Sequence, residues 1–187
     1  MRADAARNRA RILQVAYETF AADGLGVPID EIARRAGVGA GTVYRHFPAK
    51  EDLFRAVVAD RIRTLVDHGR ELVQADPAGG LYTFLKSMVL HWGAADRGLV
   101  DALAGMGIDA NAAMPEAEGD FLAMLADLVD AGQRAGTVRA DVTVPEVKAL
   151  MVGCQAAQAY NPEAAGHVTD IVFDGLRPHL PSRRSQP

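Results

Sequence analysis

The stretch IDEIARRAGVGAGTVYRHF, residues 29–47, decides the fold. Ile29, Ile32, Ala33 and Ala36 recur at the spacing of one helix face, and Gly37 with the apolar Val38 behind it predicts where that helix stops. A second short helix is expected from about Ala40 to Phe47, ended by Pro48, whose ring and missing N–H cannot continue it. Val43 and Phe47 are four residues apart and so point the same way, into a core shared with the preceding helices. Thr42, Tyr44, Arg45 and His46 are left on or near the outside. Two short helices across a tight Gly37-Val38-Gly39 turn make a helix-turn-helix, a unit whose second helix can lie in the major groove of DNA. A Thr, a Tyr, an Arg and a His exposed together on so short a helix are unusual for a purely structural element. Each can donate a hydrogen bond to a phosphate or a base edge, and Arg can do so bidentately to guanine.

Working outward, Ile12, Val15, Ala16, Thr19 and Phe20 share one helix face, and Gly24 supplies the left-handed residue that ends it. On the other side a long helix starts near Lys50 and carries Phe54, Val58, Ile62, Leu65 and Leu72 towards Ala75. Asp76-Pro77-Ala78-Gly79-Gly80 breaks it. Further helices are expected near 81–95, 97–107, 116–135, 145–160 and 163–179, with a disordered tail from Pro181. There is no internal repeat and no coherent strand signal, so the expected fold is all-α.

Composition is that of an ordinary globular chain, 49% hydrophobic and 24% charged, with a formal charge of −4. That average hides an asymmetry. Residues 1–63 hold 11 Lys+Arg against 8 Asp+Glu, or +3, and the remainder holds 9 against 16, or −7. A basic head on an acidic body points to an anionic partner for the head alone. The single cysteine, Cys154, cannot form an internal disulfide, and neither a signal peptide nor an apolar stretch of membrane-spanning length is evident. The expectation is a cytoplasmic protein with no membrane partner.

Enzyme signatures are missing: no G-x-S-x-G, no Gly-rich phosphate loop and no H-E-x-x-H occurs. Cys154 has no His nearby in sequence and reads as a small core residue, while the acidic residues from Asp109 to Asp130 read as a solvated face without metal-ligand spacing. No catalytic residue, metal or cofactor is expected. An enzyme is the competing class, a ligand-binding module that has lost DNA binding is the better alternative, and the retention of Tyr44, His46 and Lys50 argues against the latter.

The run GAGTVYRHFPAKEDL, residues 39–53, resembles the recognition helix and helix-four entry of the TetR family of bacterial transcriptional regulators. The first helix (Ile12 to Gly24), Ile32-Ala33 and Gly37-Val38 match as well, so the specific resemblance covers about residues 8–58. Beyond it the chain shares length and helical character, and Leu81 to Leu103 and Gly136-Thr137-Val138-Arg139-Ala140-Asp141 are similar to one common C-terminal subtype. The resemblance implies that Tyr44 and His46 bind phosphates from the recognition helix and Lys50 binds phosphate at the start of helix four. It implies base-reading or mixed contacts for Thr42 and Arg45, and close backbone approach at Ala40 and Gly41. Three departures stand out. Val27-Pro28 replaces the hydroxyl residue common before helix two, Ala49 replaces the small polar cap of helix four, and the short Ala40 and Gly41 leave few side chains to reach bases.

The family pattern implies a helix-turn-helix domain over 1–50, a ligand-binding and dimerisation domain over 51–180, and a tail over 181–187. Met88, His91, Trp92, Met106, Phe121, Met124, Gln155 and Tyr160 are the ligand-pocket candidates, although Met and aromatic residues at helical spacing also serve as plain core. For a dimer seam the candidates are Leu150, Cys154, Ala157, Val168, Ile171 and Val172, whose alternative role is to complete the protomer core. The implied partners are a palindromic double-stranded operator, a second copy of the chain and a small, largely apolar effector. Repression relieved by that effector is the commoner outcome in the family, with activation and co-repression as alternatives.

Overall fold

The computed structural model describes residues 2–90 and 115–178, and among them eight α-helices and no strand. In chain order these are α1 (Arg2–Asp23), α2 (Ile29–Arg35), α3 (Ala40–His46), α4 (Lys50–Ala75), α5 (Gly80–Leu90), α6 (Pro115–Arg134), α7 (Val144–Tyr160) and α8 (Pro162–Asp174). The all-helical class read from periodicity is what forms. The helix expected over 97–107 lies outside the described residues.

The chain divides into two compact units. Among the described residues the first holds α1, α2, α3, α4 up to Leu65, and residues 115–119. Its core is built by Ile12, Leu13, Ala16 and Phe20 from α1, Ile29, Ile32 and Ala33 from α2, Val43 from α3 with Phe47 behind it, and Leu53, Phe54, Val57 and Val58 from α4. These are the apolar stripes that the helical period lines up, and the Phe20 and Phe54 rings meet with centroids 5.5 Å apart. Gly24 and Gly37 stop α1 and α2 at φ +75° and +64°, a backbone region that side chains with a Cβ rarely enter. Helix α1 starts ten residues before its apolar stripe, because its Ala- and Arg-rich opening has high helix propensity and an Asp4–Arg7 ion pair one turn apart. Periodicity cannot see such a segment, since none of residues 4–11 is buried.

The second unit holds α4 from Val66, α5, α6 from Asp120, α7 and α8. Leu81, Phe84, Leu85, Met88 and Val89 of α5 are buried with Phe121, Met124, Leu125, Leu128 and Val129 of α6 and Val147, Met151 and Cys154 of α7. Asn161 ends α7 and caps α8: its side-chain oxygen accepts from the Ala164 N–H at 3.2 Å, and Pro162 opens the next helix. The stretch after α6 ties several ends together. The Thr137 hydroxyl donates to the Ala78 carbonyl at 2.6 Å, the Tyr82 hydroxyl donates to the Thr137 carbonyl at 2.9 Å, and the Arg139 N–H donates to the Leu176 carbonyl at 2.9 Å. At the start of α7 the Glu146 carboxylate accepts from the Thr143 N–H at 2.8 Å, half of a capping box.

The last helix is shorter than the expected 163–179. It stops at Asp174, where the Gly175 N–H turns back to the Ile171 and Val172 carbonyls, and Leu176 leaves the helix to be buried. Leu176 stands four residues after Val172, at helical spacing, so the pattern registers its burial and not the change of backbone that achieves it.

Candidate nucleic-acid interface

Helix α3 sorts its residues as the spacing predicts. Val43 is wholly buried and Phe47 is 3% exposed, whereas Gly41, Tyr44, Arg45 and His46 are exposed and Ala40 and Thr42 half-buried. Tyr44 keeps 47% of its surface open. Gly41 has no packing reason to be glycine: a Cβ built there meets nothing within 4 Å. Lys50, half-buried, begins α4.

Two caps around this motif lack a side-chain oxygen. Pro28 occupies the N-cap of α2 with extended backbone, and Ile29 is the first helical residue. Pro28 therefore works through its carbonyl, which accepts from the N–H groups of Glu31 at 3.1 Å and Ile32 at 3.4 Å. Ala49 has no side-chain oxygen to give, yet its own N–H is satisfied by the Asp52 carboxylate at 3.2 Å, reaching back one turn. Half of the capping box therefore survives where its hydroxyl is missing.

Electrostatics separate the cations of this unit into two groups. Arg34 and Arg35 both hold the Glu31 carboxylate at 2.7 Å, and Arg35 also reaches Asp23 at 2.7 Å. The two guanidiniums donating to Glu31 lower its pKa from 4.5 to about 2, and that carboxylate in turn raises both arginines. Arg55 pairs with Asp52 at 3.8 Å and Arg63 with Asp60 at 3.0 Å. Arg45 and Lys50, the two sequence-predicted DNA contacts with permanent charge, have no carboxylate partner among the described residues. Two arginines of α1 also lack one. Arg9 lies over the Phe47 ring, 5.6 Å from its centroid, and Arg11 donates to the Gly37 carbonyl at 3.5 Å.

In the second unit the candidate pocket residues are partly assembled. Met88, Phe121 and Met124 are buried, and the half-buried Gln155 donates to the Met88 carbonyl at 3.3 Å. The Phe84 ring connects Phe121, 6.2 Å away, to His68 of α4, 6.4 Å away. Sequence reasoning misses His68, though it stands three residues after Leu65 and four before Leu72, on the same apolar stripe. His91, Trp92 and Met106 lie outside the described residues. Tyr160 does not join the group: at the end of α7 it is 92% exposed.

The dimer-seam candidates also divide. Ile171 is 58% exposed, and Leu150, Ala157, Val168 and Val172 are half-buried. Leu150, Ile171 and Val172 line a surface groove of about 670 Å³ with Arg139, Asp141 and Glu146. Cys154 is turned the other way, 3% exposed inside the protomer beside Thr169, and burial pushes its thiol pKa up. Val152, at 52% exposure, is the neighbour that faces out instead.

Among the described residues no group of three His, Cys, Asp or Glu side chains could hold a metal ion, and no helix is long and apolar enough to cross a membrane.

Comparison with known proteins agrees with this arrangement. Residues 12–57 match the family described as bacterial regulatory proteins, tetR family, and residues 76–178 match the transcriptional regulator SbtR-like, C-terminal domain. A solved TetR transcription regulatory protein from Mycobacterium vanbaalenii is 58% identical, with a TM-score of 0.81 over 95% of this chain and 99% of that one. A TetR transcriptional regulator from Streptomyces coelicolor is 30% identical, with a TM-score of 0.77 over 92% and 99%. A curated HTH-type transcriptional regulator of Staphylococcus aureus is 36% identical over 73 residues, which is 38% of this chain and only 40% of that protein. With both family matches together spanning most of the chain and the polar face of the recognition helix exposed, this protein belongs to the TetR family of helix-turn-helix transcriptional regulators.

Proposed function

We propose that this regulator is a homodimeric repressor that holds a palindromic operator through α3 of each copy and is released by a small, largely apolar effector. The observation that carries the DNA half is the outward face of α3. It exposes Tyr44, Arg45 and His46 around a glycine with nothing to pack against, and neither Arg45 nor Lys50 at the start of α4 has an internal carboxylate among the described residues. Leaving cations unpaired on a surface costs little in water and suits a partner that brings its own negative charge. In this proposal Tyr44, His46 and Lys50 bind phosphates, Thr42 and Arg45 read bases, and Ala40 and Gly41 admit the backbone. The head runs over residues 1–50 and the sensing and dimerisation body over 51–180.

The effector half rests on the apolar interior of the second unit. Met88, Phe121 and Met124 would supply the walls and Gln155 a polar group for orientation, joined by His91, Trp92 and Met106. The exposed apolar surface of α7 and α8, with Val152, Ile171, Val168 and Val172, favours a second copy as its cover. Two heads must stand about 34–36 Å apart, or a multiple, to enter successive major grooves. An effector that binds better when α4 is displaced would shift the population away from that spacing, and only such differential affinity can do so.

Selection of the purified protein against a random duplex library at fixed salt tests the DNA half. A palindromic enriched site, broadened by Arg45→Ala, is the expected result; no enrichment at low salt would overturn it. Lys50→Ala should weaken binding to every sequence and flatten the salt dependence by about 0.9 for each phosphate it no longer neutralises.

A further inference from the structure

Among the cations of the first unit, Arg45 and Lys50 of the helix-turn-helix and its α4 entry, and Arg9 and Arg11 of α1, have no carboxylate partner among the described residues. The last two are not scattered. The Arg9 guanidinium is seated 5.6 Å from the centroid of Phe47, the residue that closes α3, whose ring is in turn 6.1 Å from that of His46. Arg11 reaches the Gly37 carbonyl at 3.5 Å, in the turn that leads into α3. One helix therefore sets a guanidinium at each end of the recognition helix.

The way each is held leaves it capable of more. A guanidinium lying over an aromatic face uses its π surface, so the N–H groups around its edge stay available. Arg9 is fixed in this way by a residue that is itself 3% exposed and anchored in the core. A guanidinium fixed before binding loses less rotamer freedom when it meets an anion, and its fork matches a phosphate. Arg11 is exposed and spends one N–H on a long bond, keeping the other donors. By contrast Arg7, Arg34, Arg35, Arg55 and Arg63 are already neutralised by carboxylates.

We infer that Arg9 and Arg11 are DNA phosphate contacts, and that α1 extends the interface past both ends of α3. The inference rests on the proposed DNA-binding role of α3. It widens a contact set that the short Ala40 and Gly41 side chains otherwise leave sparse, and it adds affinity without base preference.

Arg9→Gln, Arg11→Gln and the double variant, as full-length chains, separate this role from a structural one. The probe is a mixed-sequence 30-base-pair duplex, titrated from 50 to 200 mM salt at fixed protein concentration, with wild type and Lys50→Ala alongside. Each phosphate that a variant no longer neutralises lowers the magnitude of the log–log salt slope by about 0.9, so the affinity ratio of wild type to variant shrinks about 3- to 4-fold across that range. Arg9→Lys, which keeps the charge and the seat over Phe47, is expected to restore the slope even if Arg9→Gln lowers the melting temperature. Slopes equal to wild type for both glutamine variants, while Lys50→Ala lowers it, would overturn the role of α1 and leave DNA binding by α3 intact. If neither wild type nor any variant binds the duplex at 50 mM salt, DNA binding by α3 fails and this inference fails with it.

Discussion

Replacing Gly69 with Ala is expected to destabilise the protein, although Ala is the better helix former. Gly69 lies in the interior of α4, where glycine forgoes about 1 kcal/mol relative to Ala. A Cβ at this position would come 2.1 Å from Sδ and 2.7 Å from Cγ of Met124, which is itself wholly buried. Carbon and sulfur attract at separations near 3.5–4 Å, so one methyl group forces Met124 to a new χ1 or pushes α4 off α6. Overpacking of this kind costs about 1–3 kcal/mol, which exceeds the propensity gain in the middle of its range. The net is about 1 kcal/mol of destabilisation, or a fall of about 2–4 °C in melting temperature for a chain of this size. The sign should invert when the obstacle is removed. Met124→Ala alone costs about 2–5 kcal/mol through its cavity. In that background Gly69→Ala should stabilise by about 1 kcal/mol, because the new methyl now enters empty space. The cycle therefore carries a coupling of about 2 kcal/mol between the two sites. Denaturant titrations followed by far-ultraviolet circular dichroism, at one fixed protomer concentration, measure all four corners. If Gly69→Ala stabilises the wild type as much as the Met124→Ala protein, the close approach does not constrain the packing and the reasoning is wrong.

Gly41→Ala should do the opposite of Gly69→Ala: with nothing within 4 Å of its new methyl, it should raise stability by about 0.5–1 kcal/mol while weakening operator binding, read by calorimetry and fluorescence anisotropy. Glu31 should remain ionised well below the usual carboxylate range. Its folded pKa is lowered from 4.5 to about 2, so the stabilisation from its pairing with Arg34 and Arg35 is fully present above about pH 4.5 and is lost as pH falls towards 2. Carbon-13 NMR of the Glu31 carboxyl should locate a midpoint near 2, and a midpoint near 4.5 would show that the arginines do not hold it. Cys154 should react slowly with iodoacetamide in the native protein and quickly in urea, since it is 3% exposed and its thiol pKa is raised by burial. Rapid native labelling would place it at the surface after all.

The fold is legible in the sequence wherever burial leaves a period. Ile12, Ile32, Val43 and Phe54 announce four helices because each must return to one core at helical spacing, and all four are buried. What stays hidden has no period. The opening of α1 is helical by propensity and a local ion pair, and the end of α8 depends on how Leu176 is seated after Gly175. The same distinction divides the site residues. Tyr44, Arg45 and His46 can be placed because Val43 and Phe47 fix the opposite face of a short helix. Tyr160 and Cys154 cannot, because α7 has small residues on several faces and a weak apolar bias, so composition does not say which side turns inward. Arg9 escapes for another reason: its contact with Phe47 joins residues far apart in sequence, and no local spacing encodes it.

Gly41 and Gly69 differ in what a methyl group would meet. Both are glycines inside helices, where each forgoes the helix propensity that Ala would supply. At Gly69 the reason is visible within the protein, since Met124 occupies the space a methyl group would need. At Gly41 that space is empty, and its φ is not in the left-handed region that favours glycine. Neither packing nor backbone conformation therefore accounts for Gly41. In the proposed function the requirement comes from the duplex, which approaches α3 closely from outside, next to Tyr44, Arg45 and His46. A duplex seated against the recognition helix meets that requirement, and it also provides the negative charge that Arg45 and Lys50 lack among the described residues. If Gly41→Ala stabilised the protein and left operator affinity untouched, no external constraint would be acting at Gly41, and the phosphate and base roles assigned around it would stand on the exposed side chains alone.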